Sequence, residues 1–292
     1  MTGPTSQTHS GAGSPFSRAS SLRTLTCGDL RLTYLPDGYV QLHPLSWFPE
    51  SSPDYWQDKR DHLDAEGFLI GSVGGLLVEQ DGRALLIDTG FGPHRIPAEH
   101  TIPPLGRLEG GSLPDSLSAA GRTFSSIDTI AFTHLHDDHV GWAFGAGGAD
   151  AGPVHARYVA SEKEWQGWNM PRSAASRLRG RIETAGDGDE IFPGVTVMAT
   201  PGHTAGHLSY LIGSGSSRVL VIGDVMHSPL QVARPQWRAA SDADPAEAVR
   251  SRRRVLRELR RPGTAGFGGH FADVVFGNVT EDSAGPHWQP LR

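Results

Sequence analysis

From about Leu30 onward the chain alternates short apolar runs with turn residues, the pattern of strands separated by loops, beginning with a stretch through Leu32, Tyr34, Val40 and Leu42. The clearest hairpin pairs Gly75-Leu76-Leu77-Val78-Glu79 with Ala84-Leu85-Leu86-Ile87-Asp88 across an Asp81-Gly82 turn. Thr129-Ile130-Ala131-Phe132-Thr133 predicts a short buried strand, and further strands are predicted over 154–160, 195–200, 208–212 and 219–222. One amphipathic helix stands out: Asp244 suits the N-cap, Pro245 the first helical position, and Ala248, Val249, Val255, Leu256 and Leu259 one apolar face. Its other face carries Arg250, Arg252, Arg253, Arg254, Arg257, Arg260 and Arg261; it reads as solvated and balanced by acids elsewhere, with a surface for an anionic partner as the alternative. Residues 92–115, rich in Pro and Gly, predict a long excursion used as a lid or insertion, and 145–152 a flexible loop. Two strings echo each other about 135 residues apart: Arg83-Ala84-Leu85-Leu86-Ile87-Asp88 and Arg218-Val219-Leu220-Val221-Ile222-Gly223-Asp224. Each is a buried strand ending in Asp, as two similar halves packed together would produce.

Composition changes the picture mainly by exclusion. Residues 1–24 are dominated by Ser, Thr, Gly and Pro and have little to bury, which predicts a disordered tail ahead of a single domain over 25–292. That length buries enough surface to be stable unaided. The chain has 292 residues, 32 acidic against 26 basic side chains, a formal charge of −6, and one Cys. Cys27 can form no internal bridge or Cys-based zinc cluster. The deficit of cations argues against nucleic acid as a partner. No apolar run reaches the length of a membrane span and no signal-peptide core opens the chain, so the expected setting is cytoplasmic, with no membrane partner.

The informative segment is Thr133-His134-Leu135-His136-Asp137-Asp138-His139, at the end of a buried strand. Three imidazoles and two carboxylates crowd lone pairs into one volume, which is costly unless a cation holds them. His134 and His136 project to the same side of an extended chain, while Asp138 and His139 turn to a neighbouring position, so the segment offers two adjacent ligand sets. Further donors stand at strand ends: His203 and His207 in Pro201-Gly202-His203-Thr204-Ala205-Gly206-His207, Asp224 after Gly223, and His270 before Phe271.

This series, H-x-H-x-D-H, P-G-H-T-x-G-H, a strand-terminal G-D and a late H-F, resembles the metallo-β-lactamase-fold hydrolases over nearly the whole chain from about residue 30. The resemblance implies an α/β fold, an αββα sandwich of two similar halves, with two divalent ions per chain in the cleft between the sheets. Zinc is the expected metal, with Mn2+, Fe2+ or Co2+ as alternatives. Carried over, His134, His136 and His203 hold the first metal, Asp138, His139 and His270 the second, and Asp224 bridges them. Asp88 orients a ligand His from behind, and His207 serves there or in a purely structural role. Zinc β-lactamases of the commonest type place a Cys at the position of Asp224, and oxygen-reducing di-iron members a Glu at that of His136; both departures favour a hydrolytic two-metal site. His227-Ser228-Pro229-Leu230-Gln231, Pro235, Trp237, Asp244, Ala248 and Arg250 resemble the branch of methyl-parathion-hydrolase-like and acyl-homoserine-lactonase-like enzymes.

The resemblance implies a hydroxide shared by two metals as nucleophile, with Asp138 and Asp224 as the catalytic carboxylates and Asp224 as proton carrier. Trp142, Phe144, Trp47, Phe48 and Phe91 are candidates to line an apolar pocket for a small-molecule substrate, with core packing as the alternative for each. Three functions stay open: a hydrolase of esters, lactones or phosphotriesters; a thioesterase acting on acyl-thioester or carrier-bound intermediates; and a non-catalytic metal-dependent ligand-binding protein. The branch also allows a homodimer.

Overall fold

Apolar residues on both faces of consecutive strands require cover on both sides, and the architecture supplies it. A computed structural model describes residues 13–144, 155–169, 178, 180–214, 217–283 and 285–291. Strands β1 (Arg23–Cys27), β2 (Leu30–Leu42), β3 (Leu69–Gln80), β4 (Arg83–Ile87), β5 (Arg95–Ile96), β6 (Leu105–Glu109), β7 (Thr129–Ala131), β8 (Arg157–Ala160) and β9 (Ile182–Thr184) form one sheet, ordered β5-β6-β2-β3-β4-β7-β8-β9 with β1 also paired to β2. Strands β10 (Glu190–Phe192), β11 (Val195–Ala199), β12 (Leu208–Ser214), β13 (Ser217–Val221), β14 (Thr264–Phe267), β15 (Phe276–Asp282) and β16 (Gly285–Pro290) form the second, in chain order.

The two-residue period of a strand divides its side chains between layers. Leu76, Val78, Leu85 and Ile87 of the first sheet meet Val197, Tyr210, Ile212, Val219 and Val221 of the second in the central core. Their neighbours point outward: Leu77 and Leu86 pack with Leu113 and Leu117 of the helix Leu113–Ala119, and Leu220 and Ile222 with Val255, Leu256 and Leu259 of the helix Pro245–Leu259. The result is the expected αββα sandwich. The internal echo is real in topology: β4 pairs antiparallel with β3 and parallel with β7, as β13 pairs antiparallel with β12 and parallel with β14.

Three expectations need correction. The chain is ordered well before residue 25: Arg18 and Arg23 both pair with Asp273, at 2.9 and 2.6 Å, and the Ser20 amide donates to Ser72 Oγ at 2.8 Å, anchors that composition alone conceals. Residues 1–12 lie outside the described residues, as does the loop at 145–152. The excursion at 92–115 carries β5, a turn at Ala98–His100 and β6, which pairs with β2. On the late helix Asp244 caps by accepting from the Glu247 amide at 3.0 Å, as expected, but Arg252 is on the buried face and Val249 is only half-buried. Arg250, Arg254, Arg260 and Arg261 pair with surface acids, as the solvated reading requires. Among the described residues no helix is long and apolar enough to cross a membrane.

Candidate metal centre

The segments leaving β4, β7, β11, β13 and β14 converge at one end of the sandwich, bringing Asp88, the 133–139 cluster, His203, Asp224 and His270 together. Among the described residues, four overlapping groups have donor atoms within 4.8 Å of one another: His134, His136, His203; His134, His139, Asp224; Asp138, His139, His270; and His203, Asp224, His227. In the first, His136 Nδ1 lies 2.9 Å from His134 Nε2 and 3.0 Å from His203 Nε2. In the third, Asp138 Oδ2 lies 3.7 Å from His139 Nε2 and 3.6 Å from His270 Nε2. Asp224 sits between: Oδ1 is 3.3 Å from His139 Nε2 and 3.2 Å from His270 Nε2, and Oδ2 is 3.4 Å from His203 Nε2.

Three of the imidazoles, His139, His270 and His203, are held from behind. Asp88 Oδ2 is 2.9 Å from His139 Nδ1, and the same carboxylate accepts from the Thr133 amide at 2.8 Å and the Thr133 hydroxyl at 2.9 Å. Asp88 reaches this position with a left-handed φ of 61°, strain that fits a site which over-determines its geometry. His270 Nδ1 meets Ser72 O at 2.7 Å, and His203 Nδ1 lies 3.4 Å from Asp242 Oδ1. His207 stands outside the donor groups. Its Nε2 accepts from the Asp224 amide at 2.9 Å, so the ring positions that residue's backbone and has no lone pair left there for an ion. Gly223 makes this approach feasible, because a Cβ there would lie 2.5 Å from His207 Nε2 and its φ is +54°.

Electrostatics agree with a cation site. Burial, then the neighbouring His139, pushes His134 well below the usual imidazole range and leaves it neutral with a free lone pair. Burial opposes charge on Asp224, yet His270, His139 and His227 hold its carboxyl well below the usual carboxylate range. Burial and then His203 take His207 down to about 3. His139 Nε2 and Asp224 Oδ1 are buried without a hydrogen-bond partner, an arrangement that is costly in isolation and that a divalent ion satisfies. The nitrogen-rich donor set, with carboxylates beside it, fits such ions.

The cluster floors a cleft of about 750 Å³. Val40, Leu42, Trp47, Phe91 and Leu108 form an apolar wall, and the 92–115 excursion contributes Ile96 and residues 100–105. Of the five aromatic candidates, Trp47 and Phe91 line the cleft, whereas the other three do not. Phe48 is fully buried against Trp56 and Trp237 behind the wall. Trp142 turns into the outer core, its ring tilted against Phe124 while its Nε1 donates to Asp37 Oδ1 at 2.8 Å. Phe144 packs on Tyr158 and Trp168. For Trp142 and Phe144 the short helix Asp137–Val140 causes this, since each helical step rotates the following side chains away from the motif's own direction. His227, assigned no role from sequence, is a cleft residue 3.1 Å from Asp224 Oδ2. Its place three residues after Asp224, with Gly223-Asp224 in a turn, was the available signal.

Residues 75–270 match the model of the Metallo-beta-lactamase superfamily. The chain is 30% identical to a probable metallo-hydrolase of Mycobacterium tuberculosis across 181 residues, 52% of this chain and 56% of that protein, so it spans little more than half the length of that relative. It is 30% identical to a hydroxyacylglutathione hydrolase of Acidiphilium cryptum across 115 residues, 39% of this chain and 40% of that protein. The structure of AidC, a dizinc quorum-quenching lactonase in complex with a product, superimposes with a TM-score of 0.79 at 21% identity, covering 94% of this chain and 99% of that one.

Proposed function

Since the chain belongs to the metallo-beta-lactamase superfamily, we propose that it is a metal-dependent hydrolase working with two divalent cations on small esters, lactones or phosphotriesters that carry apolar groups. The observation that carries this reading is Asp224, whose two oxygens face separate imidazole sets on the floor of a cleft with an apolar wall. In this reading His134, His136 and His203 hold one ion, Asp138, His139 and His270 the other, and Asp224 joins the two. Zinc suits the nitrogen-rich set, with manganese, iron(II) or cobalt as alternatives. Bound there, the ions supply an activated water at neutral pH and withdraw charge from the scissile carbonyl or phosphoryl oxygen. Asp224 takes up the proton released in the attack and passes it to the leaving group, a role suited to the one carboxylate that faces both sets. Asp88 and Ser72 O hold His139 and His270 in the orientation that keeps Nε2 toward the site. Trp47, Phe91 and Leu108 exclude water and hold the apolar group against the floor.

Initial rates of the zinc- or manganese-loaded protein on an aryl ester, an acyl lactone, a phosphotriester and a thioester, with His136→Ala as the blank, test this. Turnover that vanishes in the variant supports the hydrolase, and a thioester that outranks the others moves the substrate class toward the activity named for the Acidiphilium relative. Four substrates left at the blank's rate, with both ions bound, would overturn hydrolysis of these classes in favour of ligand binding without turnover.

A further inference from the structure

Arg252 departs from every other arginine of its helix: it is fully buried, among the largest side chains so enclosed. It shares a stripe with Ala248, Val255, Leu256 and Leu259, and an enclosed guanidinium is strongly unfavourable unless its donors are met. They are. Nε donates to Val225 O at 2.7 Å, Nη1 to Pro235 O and Trp237 O at 3.1 and 2.6 Å, and Nη2 to Asp242 Oδ2 at 3.3 Å. Asp242 Oδ2 also accepts from the Ala239 amide at 2.9 Å, while Oδ1 is buried with no hydrogen-bond partner and faces His203 Nδ1 at 3.4 Å. His203 turns its other nitrogen to His136 Nδ1 and Asp224 Oδ2. A chain of guanidinium, carboxylate and imidazole thus runs from the helix interior to one donor set, and the same guanidinium grips the backbone next to Asp224. The opposite set has separate supports, Asp88 behind His139 and Ser72 O behind His270.

We propose that Arg252 and Asp242 are positioning residues for His203, so that the affinity of one cation position is set from the buried face of this helix, independently of the other position. The inference rests on the two-cation reading above. A carboxylate behind a ligand imidazole fixes which nitrogen carries the proton and raises the basicity of the other, and losing it typically weakens metal affinity about 10–100-fold.

Zinc-loaded protein is titrated with a chelator series, and the ions retained per chain are read by elemental analysis for the unaltered chain, Asp242→Asn, Arg252→Met and Asp88→Asn. Asp242→Asn keeps the size but not the charge, and with its oxygen left toward Arg252 and the Ala239 amide it turns an NH2 group, which cannot accept, toward His203 Nδ1; it should release one ion at about 10–100-fold lower chelator strength and leave the other unchanged. In the cobalt-loaded form the visible bands of one ion alone should shift. Arg252→Met should weaken the same ion most, with a smaller effect on the other because the guanidinium also holds Val225 O beside Asp224; if it does not fold, Asp242→Asn decides alone. Asp88→Asn should loosen the opposite ion. Release of both ions at the unaltered chain's strength from Asp242→Asn, or equal weakening of both, overturns the inference. If the unaltered chain holds one ion, the two-cation reading falls, and the positioning role is decided by whether Asp242→Asn weakens that ion.

Discussion

Asp37 ties the cleft wall to the outer core, and its removal should be felt in both. The side chain is 1% exposed. Its Oδ2 accepts from the amides of Phe91 and Gly92 at 2.8 and 3.0 Å, and its Oδ1 from those of Gly111 and Leu113 at 3.0 and 2.9 Å and from Trp142 Nε1 at 2.8 Å. An amide in place of the carboxylate keeps one accepting oxygen and turns an NH2 group toward at least two of these donors, whichever way it is flipped. A buried donor left unmet costs about 1–3 kcal/mol, so Asp37→Asn should destabilise by about 2–6 kcal/mol. At this chain length that lowers Tm by roughly 5–15 °C. The flip that orphans fewer donors turns the NH2 group toward the amides of Phe91 and Gly92, and because Phe91 lines the cleft, KM for substrates with a large apolar group should rise as well. Thermal unfolding of the metal-loaded protein measures the first effect and steady-state kinetics the second. A Tm within about 2 °C of the unaltered chain would mean that water replaces the lost acceptor at little cost, and the argument from a closed network would be refuted.

Trp47→Ala and Trp142→Ala should separate the two kinds of aromatic residue. The first should raise KM for bulky substrates roughly tenfold with metal content intact, and the second should cost about 3–5 kcal/mol of stability as a core deletion with KM nearly unchanged; the reverse pattern would sink the assignment. His62, buried against Phe16, is pushed down to about 4, first by burial, with Asp61 opposing. The unfolded chain then takes up the proton first, so stability is full above the ordinary imidazole value of about 6.5 and falls as pH drops toward 4, by about 3 kcal/mol in all. The difference in urea midpoint between the unaltered chain and His62→Gln should change across that window, and a constant difference refutes it.

What could be read from sequence was whatever has a dense local signature. The 133–139 cluster, the hairpin at Asp81-Gly82 and the cap at Asp244 each depend on residues adjacent in the chain, and each stands where expected. The partners of Arg18 and Asp37 were hidden because they lie far off in sequence. Trp142 misled because adjacency to a motif says nothing of direction once a helical turn intervenes. Arg252 carried a usable signal: it stands four residues after Ala248 and four before Leu256, on the apolar stripe, where a cation implies buried acceptors.

The repeated strands explain why the chemistry gathers at one place. β4 and β13 each run beside a parallel neighbour and are each followed by a carboxylate, Asp88 directly and Asp224 after Ile222 and Gly223, and parallel strands deliver their C-terminal loops to the same edge of a sheet. Two such edges face each other across the central core, so Asp88 and Asp224 approach one volume from opposite halves. Their roles then diverge through the backbone. Asp88, at a φ of 61°, turns behind His139, while Asp224, at φ −90° and ψ 17°, turns between the imidazole sets with His207 fixing its amide. One strand end therefore places its carboxylate behind His139, and the other places its own between the two imidazole sets. The helix behind the second sheet adds Arg252 to the half that holds Asp224, where the guanidinium donates to Val225 O and to Asp242, a support that Asp88 and His139 in the other half do not share.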